Sequence, residues 1–377
     1  MVNGIANASS TQEPRQCCGG YEAASVTVRT DSAAALFDMT FTSHSLPLTI
    51  PQPSKSPSWQ SHVVHLLVRA RMRPHAHEPI DPAWVRLNMG RPRGARRLMA
   101  RATGAQLRML APEGLWPGGE QLTSPTVSPS SPVLLYLHGG GFIACSPETH
   151  RPLVCSLARR LNATAFVPAY RLAPEHRYPA ALDDALRAYR YLLESRGVSP
   201  SQLVVIGDSA GGGLALSLLL AVREQHLPMP AALVTFSPWA DLSASGASLD
   251  ENTDSCAMFA GDTIRRAAEF YLGDHDPFDP LLSPVYADLH DFPPMLVHAS
   301  CDEVLRDDAV RVVERARDAG VPVTFRLWRH VPHVWQVFAA VLPEAKESLA
   351  DVVTFVRTNV PINANEHHPG ERPAPSV

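Results

Sequence analysis

The sequence predicts an α/β fold in which a mostly parallel central sheet is flanked by helices. The prediction rests on short apolar runs bounded by turn residues, and on helical stretches that alternate with these runs along residues 133–356. Short Val, Leu and Ile runs are typical of strands that are buried on both faces of a parallel sheet. Because strands and helices alternate, we expect crossover connections with helices on both faces.

The elements follow in chain order. Strands are predicted over 133–137, 164–168, 203–206, 232–236, 295–298 and 321–327, and helices over 151–161, 179–195, 210–223, 307–319 and 344–356. The helix over 179–195 has an apolar stripe that includes Leu182 and Tyr189 at helical spacing. Pro179 in its first turn and Gly197 after its end fit the usual helix termini. Residues 96–110 around Gly104 are a candidate hairpin.

The chain divides into four predicted segments. Residues 1–58 are rich in Ser, Thr and Pro and predict a flexible extension, and residues 361–377 predict a flexible tail. Residues 59–92 contain an apolar helical face but no strand, so they predict a helical cap. A helix lying on a membrane surface is the alternative, because arginines flank the apolar face. Residues 93–360 form the predicted sheet domain.

Composition narrows the classes of protein. Of 377 residues, 45% are hydrophobic, as in ordinary globular proteins. No run of about 18 uncharged apolar residues occurs, so no membrane span is expected. A net charge of −4 argues against a nucleic-acid partner. Six cysteines without C-x-x-C spacing predict thiols in a reducing cytoplasm, with neither a disulfide scaffold nor a zinc site.

The serine of a G-x-S-x-G motif is the candidate nucleophile. Residues 207–211 read G-D-S-A-G, directly between the strand at 203–206 and the helix at 210–223. A serine on such a sharp turn has a strained backbone, and the flanking glycines avoid clashes with neighbouring elements. We expect Ser209 at the C-terminal edge of the sheet, beside a helix N-terminus whose N–H groups suit an oxyanion.

A second glycine-rich motif, H-G-G-G, occupies residues 138–141 directly after the strand at 133–137. Its glycines expose backbone N–H groups and allow a bound acyl oxygen to approach closely. A phosphate-binding loop is the competing interpretation, but neither of the usual phosphate-loop patterns is present. Together with the serine turn, the motif predicts an oxyanion hole formed by the N–H groups of Gly140, Gly141 and Ala210.

A serine hydrolase of this chain order needs an acid and then a histidine in later loops. His330 and His333, after the strand at 321–327, are the candidate bases. The candidate acids after the strand at 295–298 are Asp302, Glu303, Asp307 and Asp308. Residue patterns alone leave both choices open.

Six ordered motifs make the chain resemble the hormone-sensitive-lipase-like branch of the α/β-hydrolases, a group of bacterial esterases. They are H-G-G-G at 138–141, Y-R-L-A-P-E at 170–175, G-D-S-A-G-G at 207–212, S-P-W-A-D-L at 237–242, L-S-P-V-Y-A-D-L at 282–289 and H-V-W at 333–335. The resemblance covers about residues 60–358. It implies an α/β-hydrolase fold, with residues 93–360 as the catalytic domain and an N-terminal helical cap.

The resemblance also assigns roles. It implies that Ser209 is the nucleophile and that His333, in the family's H-x-W position, is the base. The family's acid stands two residues before a leucine, which favours Glu303 over Asp302 when counted from Leu305. The resemblance also implies the oxyanion hole at 140, 141 and 210. The sequence departs from the family pattern at residue 213, where it has glycine and the family commonly has asparagine.

The expected activity is that of a serine carboxylesterase acting on small-molecule esters with short-to-medium acyl chains. An acyl-enzyme intermediate is expected, without a metal or organic cofactor. Lactone, amide or thioester hydrolysis would use the same residues. A non-catalytic ligand-binding relative is the rival of another class, but serine, acid and histidine are all present. A homodimer is one oligomeric state that the sequence leaves open.

Overall fold

The computed structural model describes residues 56–73, 78–89 and 104–360, and within them the strands form one eight-stranded sheet. The strands are β1 (Gln106–Leu110), β2 (Gly119–Thr123), β3 (Val133–Leu137), β4 (Thr164–Pro168), β5 (Leu203–Asp208), β6 (Ala232–Phe236), β7 (Met295–Ser300) and β8 (Val323–Trp328). Their order across the sheet is β1-β2-β4-β3-β5-β6-β7-β8. Only β2 runs opposite to the other seven strands, so the expected mostly parallel sheet is confirmed.

The helices of the described residues alternate with these strands. They are α1 (Trp59–Met72), α2 (Pro82–Met89), α3 (Pro147–Leu161), α4 (Ala180–Arg190), α5 (Ala210–Glu224), α6 (Ser248–Glu251), α7 (Gly261–Leu272), α8 (Arg306–Asp318) and α9 (Pro343–Asn359). A π-helical turn, Tyr191–Ser195, extends α4. Among the described helices, none combines the length and apolar character that crossing a membrane requires.

Helix α3 shows how local sequence sets the ends of a helix. At its start Thr149 Oγ1 accepts the Ser146 N–H at 3.0 Å, and Pro147 occupies the first turn, where a missing N–H costs nothing. The helix ends at Asn162, whose left-handed φ of 51° terminates it.

The core lies on both faces of the sheet. On one face, α3 and α9 pack against apolar side chains of the central strands in a single buried cluster that includes Leu157, Ile206 and Val352. Helix α5 lies outside this cluster against β3, β5 and β6. It is apolar all round and almost fully buried, as expected for a helix enclosed by other elements.

The two N-terminal helices are fastened to the sheet domain by a few specific hydrogen bonds. Ser58, which caps α1, donates its N–H and its hydroxyl to the Glu344 carboxylate at 2.7 and 2.9 Å. Arg86 of α2 donates to the carbonyl groups of Ile143 and Ala173, both at 2.7 Å. These bonds fix α1 beside α9 and α2 beside the loop that follows β3.

Several domain predictions fall partly outside the described residues. For the predicted extension at 1–58, residues 1–55 are not described. For the predicted cap at 59–92, residues 74–77 and 90–92 are not described. The predicted tail at 361–377 lies wholly outside the described residues. The start of the catalytic domain, residues 93–103, is also outside. The domain boundaries therefore stay predictions.

The structure places two strands ahead of β3. Strand β1 pairs antiparallel with β2 through the turn at 111–118. The first arm of the predicted hairpin over 96–110 lies outside the described residues, so this hairpin stays a prediction. Sequence reasoning missed β2 and α7. In β2 the buried side chain of Glu120 accepts a hydrogen bond from Arg151 Nε at 2.9 Å. Because a charged residue occupies this buried position, the sequence of β2 lacks the apolar alternation that predicts a strand.

Candidate active site

Ser209 lies on the sharp turn between β5 and α5. Its backbone has φ 52° and ψ −125°, a conformation that is uncommon for any residue other than glycine. A Cβ atom on Gly207 would lie 2.1 Å from the Gly211 carbonyl oxygen, and one on Gly211 would lie 2.1 Å from the Leu137 carbonyl oxygen. The turn therefore has no room for larger residues, which explains the G-x-S-x-G pattern.

The serine, a histidine and a glutamate form a continuous hydrogen-bonded chain. His333 Nε2 lies 2.8 Å from Ser209 Oγ, and His333 Nδ1 lies 2.5 Å from Glu303 Oε2. Both partners of the second contact are buried, with Glu303 1% exposed and His333 3% exposed. This arrangement orients the imidazole with one nitrogen toward the serine and the other toward a carboxylate.

The Glu303 carboxylate is held at both of its oxygens. Oε1 accepts the Ser300 N–H at 2.7 Å while Oε2 faces His333. Asn252, just after α6, donates its side-chain amide to the carbonyl groups of Cys301 and Glu303, both at 2.9 Å. Sequence reasoning missed Asn252, because a single buried asparagine in a polar stretch has no pattern that marks it.

The two alternative candidates bind each other instead. Asp302 Oδ2 accepts the His330 N–H at 2.6 Å, and burial raises the pKa of this carboxyl group. The His330 ring lies against His62 and His65 of α1, with ring centroids 4.2 and 4.4 Å apart. The pair therefore joins the two loops and supports α1, and neither side chain contacts Ser209.

The other two candidate acids also have different partners. Asp307 Oδ2 accepts the Ser248 N–H at 2.8 Å. Asp308 Oδ2 accepts the N–H groups of Ala240 and Asp241, both at 2.9 Å. These carboxylates fix the start of α8 against the loop after β6, so the geometry leaves Glu303 as the partner of the histidine.

The glycine-rich motif at 138–141, hereafter the oxyanion loop, follows β3 at the same edge of the sheet. Gly140 and Gly141 have φ of 122° and 62°. A Cβ atom on Gly140 would lie 2.2 Å from the Ala144 carbonyl oxygen, so this position needs glycine. Ala210 is the first residue of α5, where backbone N–H groups have no partner within the helix.

A cavity of about 680 Å³ connects these groups. Ser209, His333, Gly140 and Gly141 line it together with apolar side chains of the sheet domain and of the N-terminal helices. The apolar part includes Phe259, Ile264, Leu67, Val85 and Phe338. Its volume and its mostly apolar wall suit a small organic ligand held beside a few polar groups.

Comparison with known proteins identifies the family of the chain. The sequence profile of a family described as having the α/β-hydrolase fold matches residues 134–337, a range that includes Ser209, Glu303 and His333. The chain belongs to the α/β-hydrolase family.

Within this α/β-hydrolase family, the curated relatives include an acetyl-hydrolase of Streptomyces hygroscopicus. It is 43% identical over 225 residues, which cover 60% of this chain and 75% of the relative. An esterase of Acinetobacter venetianus is 38% identical over 224 residues, which cover 59% of this chain and 74% of the relative.

Solved structures of α/β-hydrolases agree with the fold. A crystal structure of EstE5 soaked with p-nitrophenyl butyrate has a TM-score of 0.73 and 34% identity, and covers 80% of this chain and 99% of EstE5. An esterase from the bacterial hormone-sensitive lipase family has a TM-score of 0.71 and 35% identity, and covers 81% of this chain and all of the esterase. The predicted resemblance to hormone-sensitive-lipase-like esterases is confirmed.

Proposed function

We propose that this α/β-hydrolase is a serine carboxylesterase in which Ser209 is the nucleophile, His333 the general base and Glu303 the orienting acid. One observation supports the proposal most strongly, the unbroken chain of contacts at 2.8 and 2.5 Å from the serine hydroxyl through the imidazole to the carboxylate. A serine hydroxyl is a weak nucleophile until a neighbouring base can take its proton. The names of the relatives, acetyl-hydrolase and esterase, favour an ester substrate.

The reaction begins when Ser209 Oγ attacks the ester carbonyl carbon while its proton moves to His333 Nε2. The carbonyl oxygen gains the negative charge, and N–H groups of Gly140, Gly141 and Ala210 stabilise it. When the C–O bond to the alcohol breaks, His333 returns the proton to the leaving oxygen. The products of this half-reaction are the free alcohol and an acyl ester on Ser209.

A water molecule completes the cycle. His333 takes a proton from this water, and the hydroxide oxygen attacks the acyl carbon. The bond to Ser209 Oγ then breaks, and the imidazolium proton returns to the serine. The Glu303 carboxylate holds the imidazole orientation in both halves and stabilises its charged form.

The cavity supports substrates of limited size. A volume of about 680 Å³ lies within the range of about 300–1,000 Å³ that is common for drug-sized ligands, and the acyl chain and the alcohol must share it. We therefore propose short-to-medium acyl chains. Lactones, amides and thioesters would react through the same groups, and the ester is preferred because of the relatives. A cytoplasmic location and a homodimer stay predictions.

The experiment that tests the function compares Ser209→Ala with the wild type on p-nitrophenyl esters from acetyl to dodecanoyl. Ser209→Ala should lower kcat/KM by at least about 10³-fold, since the nucleophile is gone. Ser217→Ala is the matched control, because Ser217 is buried on the same helix but donates only to the Gly213 carbonyl at 3.1 Å. It should stay within a few-fold of wild type. A folded Ser209→Ala enzyme with near wild-type activity would contradict the proposal.

A further inference from the structure

A second group of buried polar side chains lies behind the oxyanion loop, and the proposed triad does not use it. Asp208 directly precedes Ser209, His150 is on α3 and Tyr136 is on β3, and all three are buried. Asp208 and His150 line the same cavity as Ser209. Buried polar groups of this kind are stabilised only when their hydrogen bonds are satisfied.

The Asp208 carboxylate holds the first peptide of the oxyanion loop. Its Oδ1 accepts the Gly139 N–H at 3.1 Å and the Tyr136 hydroxyl at 2.7 Å. The opposite side of the same peptide is the His138 carbonyl, which accepts the Tyr170 hydroxyl at 2.6 Å. A Cβ atom on Gly139 would lie 2.3 Å from Asp208 Oδ2. Glycine is therefore needed for the carboxylate to approach this closely.

The next two peptides are held by their carbonyl groups. The Gly139 carbonyl accepts His138 Nδ1–H at 2.8 Å, and the Gly140 carbonyl accepts the Ala144 N–H at 3.0 Å. In a planar trans peptide the N–H points opposite to the C=O. The N–H groups of Gly140 and Gly141 consequently point away from these partners, and the position of the first peptide sets where they lie.

Each ring nitrogen of His150 lies within hydrogen-bonding distance of a polar side chain. Its Nε2 lies 3.2 Å from Asp208 Oδ2. Its Nδ1 lies 2.9 Å from Thr149 Oγ1, and that hydroxyl donates to the Ser146 carbonyl at 2.7 Å. Because an ionised carboxylate only accepts, His150 Nε2 carries the hydrogen of the bond to Asp208. Burial favours a raised pKa for Asp208, but the charge of His150 and hydrogen bonds from His150 and Tyr136 hold this pKa below its usual value.

We propose that Asp208 and His150 form a buried, hydrogen-bonded pair that positions the oxyanion loop for the transition state, which extends the proposed function. Asp208 supplies the acceptor that fixes the Gly139 N–H. His150 donates to the other carboxylate oxygen, Oδ2, and so fixes the orientation of the Asp208 carboxylate. Both are positioning residues, because they act through the loop rather than on the reacting atoms.

The test measures kcat, KM and the inhibition constant of a trifluoromethyl ketone in Asp208→Asn and His150→Gln. Such a ketone forms a hemiketal oxyanion with the serine, so its affinity reports the oxyanion hole rather than substrate binding. Asp184→Asn is the matched control, because Asp184 is equally buried and also holds a basic side chain, Arg171 at 2.8 Å, but is on α4 and makes no hydrogen bond to the oxyanion loop among the described contacts.

In Asp208→Asn and His150→Gln, kcat should fall about 10- to 100-fold, which at most reaches the lower end of the about 10²–10³-fold that loss of a whole oxyanion donor costs. The inhibition constant should rise in parallel and KM should stay within about threefold. The control should keep all three values. Folded variants with wild-type kcat and wild-type inhibitor affinity would overturn the proposal. If Asp208→Asn does not fold, the result for His150→Gln is the test. Since Ser209→Ala tests hydrolysis independently, the two proposals can fail separately.

Discussion

Replacing Glu303 with glutamine should inactivate the enzyme, whereas Asp302→Asn should not. Glu303 uses both carboxylate oxygens as acceptors, one for the Ser300 N–H at 2.7 Å and one for His333 Nδ1 at 2.5 Å. Glutamine has a single acceptor oxygen at this position, so its NH₂ group must face one of these two donors. Either the loop loses a backbone hydrogen bond or the imidazole loses its orienting partner.

The magnitude follows from the burial of this contact. Glu303 and His333 are almost fully excluded from solvent, so no water can replace the lost charge when His333 becomes an imidazolium. Loss of the orienting carboxylate charge in a serine hydrolase lowers kcat about 10⁴-fold, which corresponds to about 5.5 kcal/mol of transition-state stabilisation. Asp302→Asn keeps an oxygen for the His330 N–H, and we expect less than about a tenfold effect.

The assay is the initial rate of p-nitrophenyl acetate hydrolysis by Glu303→Gln, Glu303→Asp and Asp302→Asn, each checked for folding by circular dichroism and thermal unfolding. Glu303→Asp should recover activity only in part, because its carboxylate is one methylene farther from His333. If Asp302→Asn were inactive and Glu303→Gln nearly normal, the assignment of Glu303 as the acid, counted two residues back from Leu305, would be refuted.

Two further predictions follow from the histidines. His333→Ala should lower kcat by several orders of magnitude, and His330→Ala should lower it far less. Steady-state kinetics on the same ester measures both values. A larger loss in His330→Ala would contradict the assignment of the base. Burial is the main reason that the pKa of His138 and of His298 is lowered to about 3. The charge of His150 lowers the pKa of His138 further, and the charge of Arg326 lowers that of His298 further. These histidines stay neutral in the native state and take up protons on unfolding. Stability should therefore decrease as pH falls from about 6.5 toward 3, by up to about 1.4 kcal/mol per pH unit for each histidine. Urea unfolding at pH 7, 6 and 5 measures this slope, and a flat profile would contradict it.

The fold was predictable where burial dictates the sequence. Nearly every residue of strands β3–β7 is buried, so the apolar runs in the sequence predict these strands. Helix α7 was not predictable in the same way, because its buried face relies on small residues such as Ala267 and Ala268. The bonds from Ser58 to Glu344 join positions 286 residues apart, and no local pattern can encode such a contact.

The candidate site was predictable in two different ways. Steric necessity marks Ser209 and the oxyanion loop, because glycine is required where a Cβ would overlap backbone. The choice of Glu303 and His333 needed the register supplied by the family resemblance, since local patterns left several carboxylates and two histidines open. The structure places His333 against Ser209 and Glu303 against His333, and their catalytic roles are the proposals that the variants test.

The small effect expected for His330→Ala follows from which atoms join the two catalytic loops. The loops after β7 and β8 are linked by the His330 N–H, which donates to Asp302 at 2.6 Å, and by the Ser300 hydroxyl, which donates to the Val331 carbonyl at 2.9 Å. On the β8 side both partners are backbone atoms. Alanine at 330 keeps that N–H, so the position of His333 relative to Glu303 is retained. What the variant removes is the ring that packs on α1, and its effect should fall on the N-terminal helices rather than on the chemistry.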